Sequence, residues 1–268
     1  NLLYTEGGVG SVRVVEASDF NWIKNRSNTG EHLVVDAVRG MYNLRVNSNV
    51  AQGANGGSHQ QSLDSDGFTV ASTGANSNAN GNTFASWNWK ANGSSTTTNN
   101  DGATTSYISH NSTSQFSIIK YTGTGSATNI GHGLNGTPDY FITKALDASD
   151  WHVWCNNFPA QKRIKLNSTG GWSTNSSIFA SLPDATKIYF GNGGDVNGSG
   201  VEYICYAWKN VTGFSKAGFY TGNGSSSSPK FIYTGFKPKF VIVKNTSQED
   251  SWVIQDDKRE GNSDDNEE

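Results

Sequence analysis

The stretch YFITK at residues 140–144 decides the fold, because the chain contains two further versions of it. It recurs as FNWIK at 20–24 and as FVIVK at 240–244. Internal repetition constrains the architecture before any single residue is interpreted. It also bears on function, since catalysis needs a unique set of residues, whereas adhesion and construction tolerate repetition.

The repetition extends well beyond these blocks. Matching Tyr-Thr-Gly stretches begin at Tyr121 and Tyr220, 99 residues apart, and the matching lysines Lys144 and Lys244 lie 100 residues apart. A second block reads FASWNWK at 84–90 and YICYAWK at 203–209. A period of this length is too long for a solenoid rung and suits a chain of small domains.

Several segments alternate between two faces, as half-buried strands do. Ile204, Tyr206 and Trp208 would share one face, and the residues at 85, 87 and 89 would share the corresponding face of the first copy. Turn dipeptides such as Asn135-Gly136 separate these segments, and an apolar period of 3.6 is absent. The pattern predicts an all-β chain of tandem β-sandwich domains, jelly-roll or lectin-like, with a repeat of about 100 residues.

The repeat boundaries predict four segments. We expect a first β-sandwich repeat with a divergent start at 1–92 and a polar linker at 93–115. A second β-sandwich repeat is expected at 116–213, and the truncated start of a third at 214–268. The linker is predicted because 93–115 is almost purely polar.

The composition limits the kinds of molecule that this chain can be expected to bind. Only 34% of residues are hydrophobic, but 12% are aromatic, which favours small dense cores over disorder. The net charge of −3 offers no basic stripe for nucleic acid, and no apolar run is long enough to span a membrane. The two cysteines, Cys155 and Cys205, could be free thiols or a disulfide, and the sequence leaves both readings open.

Aromatic side chains are the main candidates for ligand contact, since Trp and Tyr stack on sugar rings. Trp172 lies in a Gly/Ser loop found in one copy only, and Trp151 belongs to a set of tryptophans spread around the copies. Trp89 and Trp208 alternate with other apolar residues and are expected in a core. We therefore predict Trp172 and Trp151 as ligand-binding residues.

Catalytic and metal motifs are weak. Asp64-Ser65-Asp66-Gly67 resembles part of a calcium loop but lacks the later bidentate Glu, so no metal and no cofactor are predicted. Carboxylates that could pair in space for glycoside cleavage are Asp139, Asp147, Asp150, Asp184 and Glu202. We predict no catalytic residues.

The repeated blocks resemble an uncharacterised Gly/Asn/Ser-rich repeat domain of tail-fibre-like structural proteins of marine tailed phages. The matching blocks lie at 22–27, 64–68, 84–93, 116–125, 130–134, 193–207, 214–224 and 233–238. That family has no assigned catalytic or ligand residues to carry over. The resemblance implies a virion surface or appendage protein, assembled in the host cytoplasm and exposed outside the cell.

The function expected from these observations is that of a non-enzymatic virion structural protein, part of a tail fibre or surface appendage that contributes to host attachment. Its expected partners are other virion proteins, further copies of itself in a trimer, and a host surface glycan bound weakly at several sites. One alternative is a capsid decoration or fibre-forming surface protein with a packing role only. A second alternative is a polysaccharide depolymerase.

Overall fold

The computed structural model describes residues 2–5, 11–13, 17–54, 60–70 and 74–258. The described chain is nearly all β, with one short helix. No helix in this part of the chain is long and apolar enough to cross a membrane. The all-β class predicted from the alternation is confirmed.

The elements of the first half are β1 Leu2–Thr5, β2 Ser11–Arg13, β3 Phe20–Asn25, β4 His32–Asp36, β5 Gly40–Arg45, β6 Gly53–Ala54, β7 Gln60–Asp64, β8 Gly67–Val70, β9 Phe84–Trp89, β10 Thr97–Asn99 and β11 Ser106–Asn111. Those of the second half are β12 Phe116–Thr122, β13 Thr128–Gly131, β14 Tyr140–Ala145, β15 His152–Cys155, β16 Lys162–Lys165, β17 Ser173–Thr174, β18 Lys187–Phe190, α1 Gly194–Asn197, β19 Glu202–Trp208, β20 Phe240–Val243 and β21 Val253–Asp256.

Two large antiparallel sheets organise the molecule. One has six strands in the order β1-β9-β3-β4-β5-β6, and the other has eight in the order β10-β11-β12-β19-β14-β15-β16-β17. Three small sheets accompany them, formed by β13 with β18, by β2, β8 and β7, and by β20 with β21.

The recurring sequence blocks occupy matching places in these sheets. Strand β3 pairs with β9 so that Phe20 lies opposite Trp89, and β14 pairs with β19 so that Tyr140 lies opposite Trp208. On their other sides, β3 pairs with β4 and β14 pairs with β15 as antiparallel hairpins, and β20 with β21 is a third such hairpin. The same local sequence therefore gives the same local pairing.

The two large sheets face each other across one hydrophobic cluster. Phe20 of the six-stranded sheet contacts Phe116 and Tyr206 of the eight-stranded sheet, with ring centroids 5.9 and 4.7 Å apart. Strands predicted to belong to separate domains at 1–92 and 116–213 thus share a core. The predicted alternation holds, since Ile204 and Tyr206 point into this cluster together.

The eight-stranded sheet is buried on its other face as well. Alternate residues of β12 and β19, such as Ile119 and Cys205, enter a second cluster with Phe190 of β18 and Val196 of α1. This sheet is therefore the middle layer of the molecule. Both cysteines are free thiols, with Cys205 buried and Cys155 partly buried, which agrees with the first of the two readings.

Residues 93–115, predicted as a polar linker, instead supply β10 and β11 to the eight-stranded sheet. The polar composition is compatible with burial because the hydroxyls find partners. The Ser106 hydroxyl donates to the Gly131 carbonyl at 2.7 Å, and the Ser109 hydroxyl donates to the Gly93 carbonyl at 2.7 Å. A segment with few apolar side chains can therefore still form ordered strands.

A buried ionic network also joins the two large sheets. Arg39, which follows β4, pairs with Asp36 at 2.5 Å, and both side chains are buried. The Tyr206 hydroxyl, from β19 of the opposite sheet, donates to Asp36 at 2.6 Å. The two layers are thus linked by polar contacts as well as by apolar ones.

Candidate functional site

Trp151 is a core residue, which corrects its prediction as a ligand contact. Its side chain is 1% exposed within the cluster between the large sheets. The indole N–H donates to the carbonyls of Arg45 at 2.9 Å and Ser48 at 3.2 Å, across the interface between the sheets. An indole held in this way cannot stack on a ligand from solvent.

Trp172 is different, because it lies at the surface with 36% of its area exposed. It stands beside β17 and contacts two other aromatic rings, Phe158 at 5.6 Å and Phe219 at 6.3 Å. The Lys162 ammonium lies 5.1 Å from the centre of the indole ring. We call these four side chains the Trp172 patch.

The loop that carries Trp172 is anchored to the loop between β20 and β21. The Trp172 amide donates to the Thr246 carbonyl at 2.9 Å, and the Lys244 ammonium donates to the Thr169 carbonyl at 3.1 Å. Gly171 permits this approach, since a Cβ there would lie 2.7 Å from the Thr246 oxygen. The Gly/Ser loop therefore presents the indole from a fixed backbone position.

A shallow groove of about 250 Å³ lies beside the patch. Its lining residues are Arg163, Lys165, Ser168, Gly170, Gly171 and Ser173. The groove thus offers hydroxyls, backbone and two cations, and its lining includes Gly171 and Ser173, the residues on either side of Trp172. Sugar rings need this combination, because one face of a pyranose is apolar while its rim is polar.

Arg163, one of the two cations of the groove, contacts a partly buried polar network. The Arg163 guanidinium donates to His152 Nδ1 at 3.3 Å, which leaves His152 Nε2 to donate to Asp195 at 3.0 Å. Asp195 also accepts from the Ser149 hydroxyl at 3.0 Å. Each group is oriented by the next, and this series of hydrogen bonds ends at Arg163, which lines the groove.

The pKa values of the three titratable groups in this network are all lowered. Burial lowers the pKa of His152, so the imidazole stays neutral at neutral pH. The hydrogen bond from His152 is the main reason why the pKa of Asp195 falls to about 2. Burial lowers the pKa of Arg163, and Asp195 and Asp150 partly offset this change.

Lys165 has its own carboxylate partner. Its ammonium pairs with Asp150 at 2.5 Å, and Asn167 donates to the same carboxylate at 2.9 Å. Burial alone would raise the pKa of Asp150, but these hydrogen bonds outweigh it and the pKa is lowered. Lys162 lies over the indole, so it is the cation nearest to the Trp172 ring.

The carboxylates considered for glycoside cleavage are engaged in structural contacts. Asp139 accepts the Asn210 amide at 2.7 Å, Glu202 pairs with Lys120 at 2.7 Å, and Asp184 accepts from Tyr189 at 2.6 Å. Despite the opposing effect of burial, hydrogen bonds lower the pKa of Asp184 to about 2. A general acid for glycoside cleavage needs the opposite shift, toward a higher pKa.

The segment that resembles a calcium loop forms a hairpin turn. Asp64 pairs with Gly67 at the junction of β7 and β8, and its carboxylate accepts from Thr69 at 2.9 Å. Within the ranges that the structure describes, no three His, Cys, Asp or Glu side chains cluster as a metal site would require.

Sequence reasoning singled out Trp172 but missed its neighbours. Lys162 belongs to β16, in which charged residues lie on both sides of Ile164. Phe158 and Phe219 come from separate loops. The sequence LysArgIleLys at 162–165 was a usable signal for a basic strand edge. The contact with Phe219, 47 residues from Trp172, has no local signal.

Comparison with known families gives one match. Residues 3–268 match the family described as Domain of unknown function (DUF7483), so the chain belongs to that family. No curated protein and no solved structure matches the chain.

Proposed function

We propose that this DUF7483 chain is a non-enzymatic binding module whose Trp172 patch and neighbouring groove contact an acidic surface glycan. The observation that carries the proposal is an exposed indole with a lysine over its ring, beside a groove with two further cations. The aromatic face accepts the apolar face of a sugar ring, and the cations favour carboxylate or phosphate substituents.

The contact is expected to be weak in a single copy. The groove is shallow, and Lys165 is already paired with Asp150. Useful attachment would then depend on several copies acting together, which raises overall avidity without new contacts. A trimer supplies that multivalency, and light scattering on the purified chain measures it directly.

We place the module in a virion tail fibre or surface appendage, exposed outside the host cell and bound to other virion proteins. The support is the sequence resemblance to tail-fibre-like proteins, together with the recurring hairpins of β3–β4, β14–β15 and β20–β21. These hairpins support a tandem β-sandwich repeat as the evolutionary unit of the fold. The lowered carboxylate pKa values favour binding over polysaccharide cleavage.

An assembly role, as a capsid decoration or fibre-forming protein, is the second candidate. The observation that favours it is a group of exposed apolar side chains after β19, with Phe231 84% exposed and Tyr233 78% exposed. Exposed aromatic residues of this kind mark surfaces that other proteins cover.

A glycan array tests the binding proposal. The purified chain is applied to an array of bacterial capsule and lipopolysaccharide glycans, and hits are measured by titration at two salt concentrations. Trp172→Ala should weaken binding about tenfold, as the loss of one stacked ring does. Lys162→Met should weaken the binding of acidic glycans while sparing neutral ones, because it removes only the charge over the ring.

Tyr107→Ala is the matched control, since Tyr107 is an exposed aromatic residue on β11, outside the Trp172 patch and the groove. It should bind as the unaltered chain does. An array without any hit, or Trp172→Ala binding with unchanged affinity, would rule out the patch as the attachment site.

A further inference from the structure

Strand β16 divides the cations near Trp172 between its two faces. Side chains alternate along a strand, so Arg163 and Lys165 point to the face opposite that of Lys162. Ser173 lies directly across from Arg163 in β17 and shares its face, and the groove is lined by Arg163, Lys165 and Ser173. Lys162 instead lies over the Trp172 ring. The groove is therefore a site of its own beside the aromatic ring.

Arg163 is a partly buried cation whose hydrogen bonding is incomplete. Among the described residues its guanidinium makes one hydrogen bond, from Nη1 to His152 Nδ1 at 3.3 Å, and no ion pair. The Arg163 Nε is buried and has no acceptor in that part of the chain. Buried cations are normally paired, and a buried N–H without an acceptor is unfavourable. The side chain that lines the groove therefore lacks an acceptor that an anionic ligand supplies.

The free edge of the guanidinium has a specific shape. Because Nη1 is held by His152, the donors left over are those of Nε and Nη2, whose N–H bonds run parallel along one edge of the planar group. Two parallel donors match the two oxygens of a carboxylate in a bidentate pair. His152 is held in turn by Asp195 at 3.0 Å, so the orientation of this edge of Arg163 is fixed.

The charges around the groove favour an anion with a single charge. Lys165 pairs with Asp150, and Asp195 lies behind His152 on the side of Arg163. The two cations are thus balanced by two carboxylates, since the His152 imidazole is neutral. Repulsion from Asp150 and Asp195 acts more strongly on a phosphate monoester, with two negative charges, than on a carboxylate with one. Shape and charge therefore point to the same group.

We propose that the groove binds the carboxylate of a hexuronic acid residue, with the Nε and Nη2 edge of Arg163 as its bidentate partner. The Ser173 hydroxyl, across from Arg163, lies beside the sugar. This inference rests on the proposed glycan function, because it names the acidic sugar of that glycan and the residue that recognises its acid group. The carboxylate contact uses a different face of β16 from the Trp172 ring, so each contact is tested separately.

The test uses methyl glucuronide and methyl galacturonide as probes, with methyl glucoside as their neutral counterpart. Each sugar is titrated into the whole isotope-labelled chain, and the Arg163 Nε–H resonance is followed by NMR. The loss of that resonance in Arg163→Lys identifies it. We expect both uronides to shift it saturably and methyl glucoside to leave it unchanged. Methyl glucoside 6-phosphate, a dianion at about pH 7, should bind more weakly than the uronides.

Arg163→Lys is also the decisive variant, because it keeps the positive charge and removes the parallel donors. It should weaken uronide binding about tenfold, measured from the backbone amide resonances of Gly171 and Ser173. Arg45→Lys is the matched control, since Arg45 lies outside the groove and meets Glu31 at 3.8 Å. It should bind the uronides as the unaltered chain does. Unchanged amide resonances away from the groove show that Arg163→Lys keeps the fold.

Any of four results would overturn the carboxylate site. These are an Arg163 resonance that neither uronide shifts, equal binding of the uronides and methyl glucoside, tighter binding of the phosphate than of either uronide, and unchanged uronide binding by Arg163→Lys. If such a result accompanies a glycan array on which Trp172→Ala loses binding, the glycan function stands and the carboxylate site does not. Uronide binding that depends on Arg163, with no effect of Trp172→Ala on the array, rejects the Trp172 patch instead.

Discussion

Replacing Arg39 by methionine should destabilise the protein by about 3 kcal/mol. The substitution leaves the Asp36 carboxylate buried between the two large sheets without its charged partner. Arg39 and Asp36 are both buried and pair at 2.5 Å. Arg39 also donates to the Tyr42 carbonyl at 2.9 Å and to the Tyr206 hydroxyl at 3.3 Å. Methionine fills similar volume but supplies none of these contacts.

The size of the effect follows from what remains around Asp36. Breaking a buried ion pair by removal of one partner costs about 3–5 kcal/mol. The carboxylate keeps the Tyr206 hydroxyl at 2.6 Å and the backbone amides of Val38 and Arg39 at 3.0 and 2.9 Å. These three donors place the expected loss at the lower end of that range.

The assay is equilibrium unfolding in urea, followed by tryptophan fluorescence and circular dichroism. Arg45→Met is the control, since Arg45 meets Glu31 at 3.8 Å on the surface and exposed pairs contribute only about 0–1 kcal/mol. A double-mutant cycle with Tyr206→Phe should show coupling of at least about 0.5 kcal/mol, because the two side chains meet across the sheets. Equal losses for Arg39→Met and Arg45→Met would refute the reasoning.

Two further predictions concern titratable groups in the core. Burial lowers the pKa of Lys144 to about 8, so between that pH and the ordinary lysine value near 10.4 the unfolded chain binds more protons and stability rises with pH. From about pH 7.5 to 9.5 the unfolding free energy of the unaltered protein should rise by about 2 kcal/mol relative to that of the Lys144→Met variant. A difference that stays constant with pH would contradict the lowered pKa. Burial raises the pKa of Cys155 to about 12 and also raises that of Cys205, so neither thiol should react rapidly with Ellman's reagent at about pH 8 until urea is added. Failure to release two thiols in urea would contradict the free state of both.

The alternation in the sequence predicted side-chain faces well. Ile204 and Tyr206 share one face of β19, and Ala85 and Trp87 share the matching face of β9, as period-2 patterns require. What the alternation could not give is the layer that covers each face. Period 2 identifies a buried face but carries no information about which sheet packs on it. The segments 1–92 and 116–213 were predicted as two β-sandwich repeats, and residues of both lie in one hydrophobic cluster.

The two predicted ligand tryptophans show a second limit. Trp151 is fixed by hydrogen bonds to the carbonyls of Arg45 and Ser48, whereas Trp172 lies at the surface. Those carbonyls are more than 100 residues away in sequence. A long-range hydrogen-bond partner decides the burial of an indole, and a single sequence does not display it.

The recurring lysines show how repetition and function divide between different residues. Lys24, Lys144 and Lys244 each donate to the carbonyl of the next residue at 2.6 Å, so each one folds back on the loop that its strand enters. The recurring residue is therefore a structural feature of the hairpin, and its recurrence needs no shared ligand. The Trp172 patch is assembled the opposite way, from residues outside the recurring YFITK-type hairpin blocks and brought together from β16 and three loops. In this chain the search for recognition accordingly belongs among the residues that do not recur.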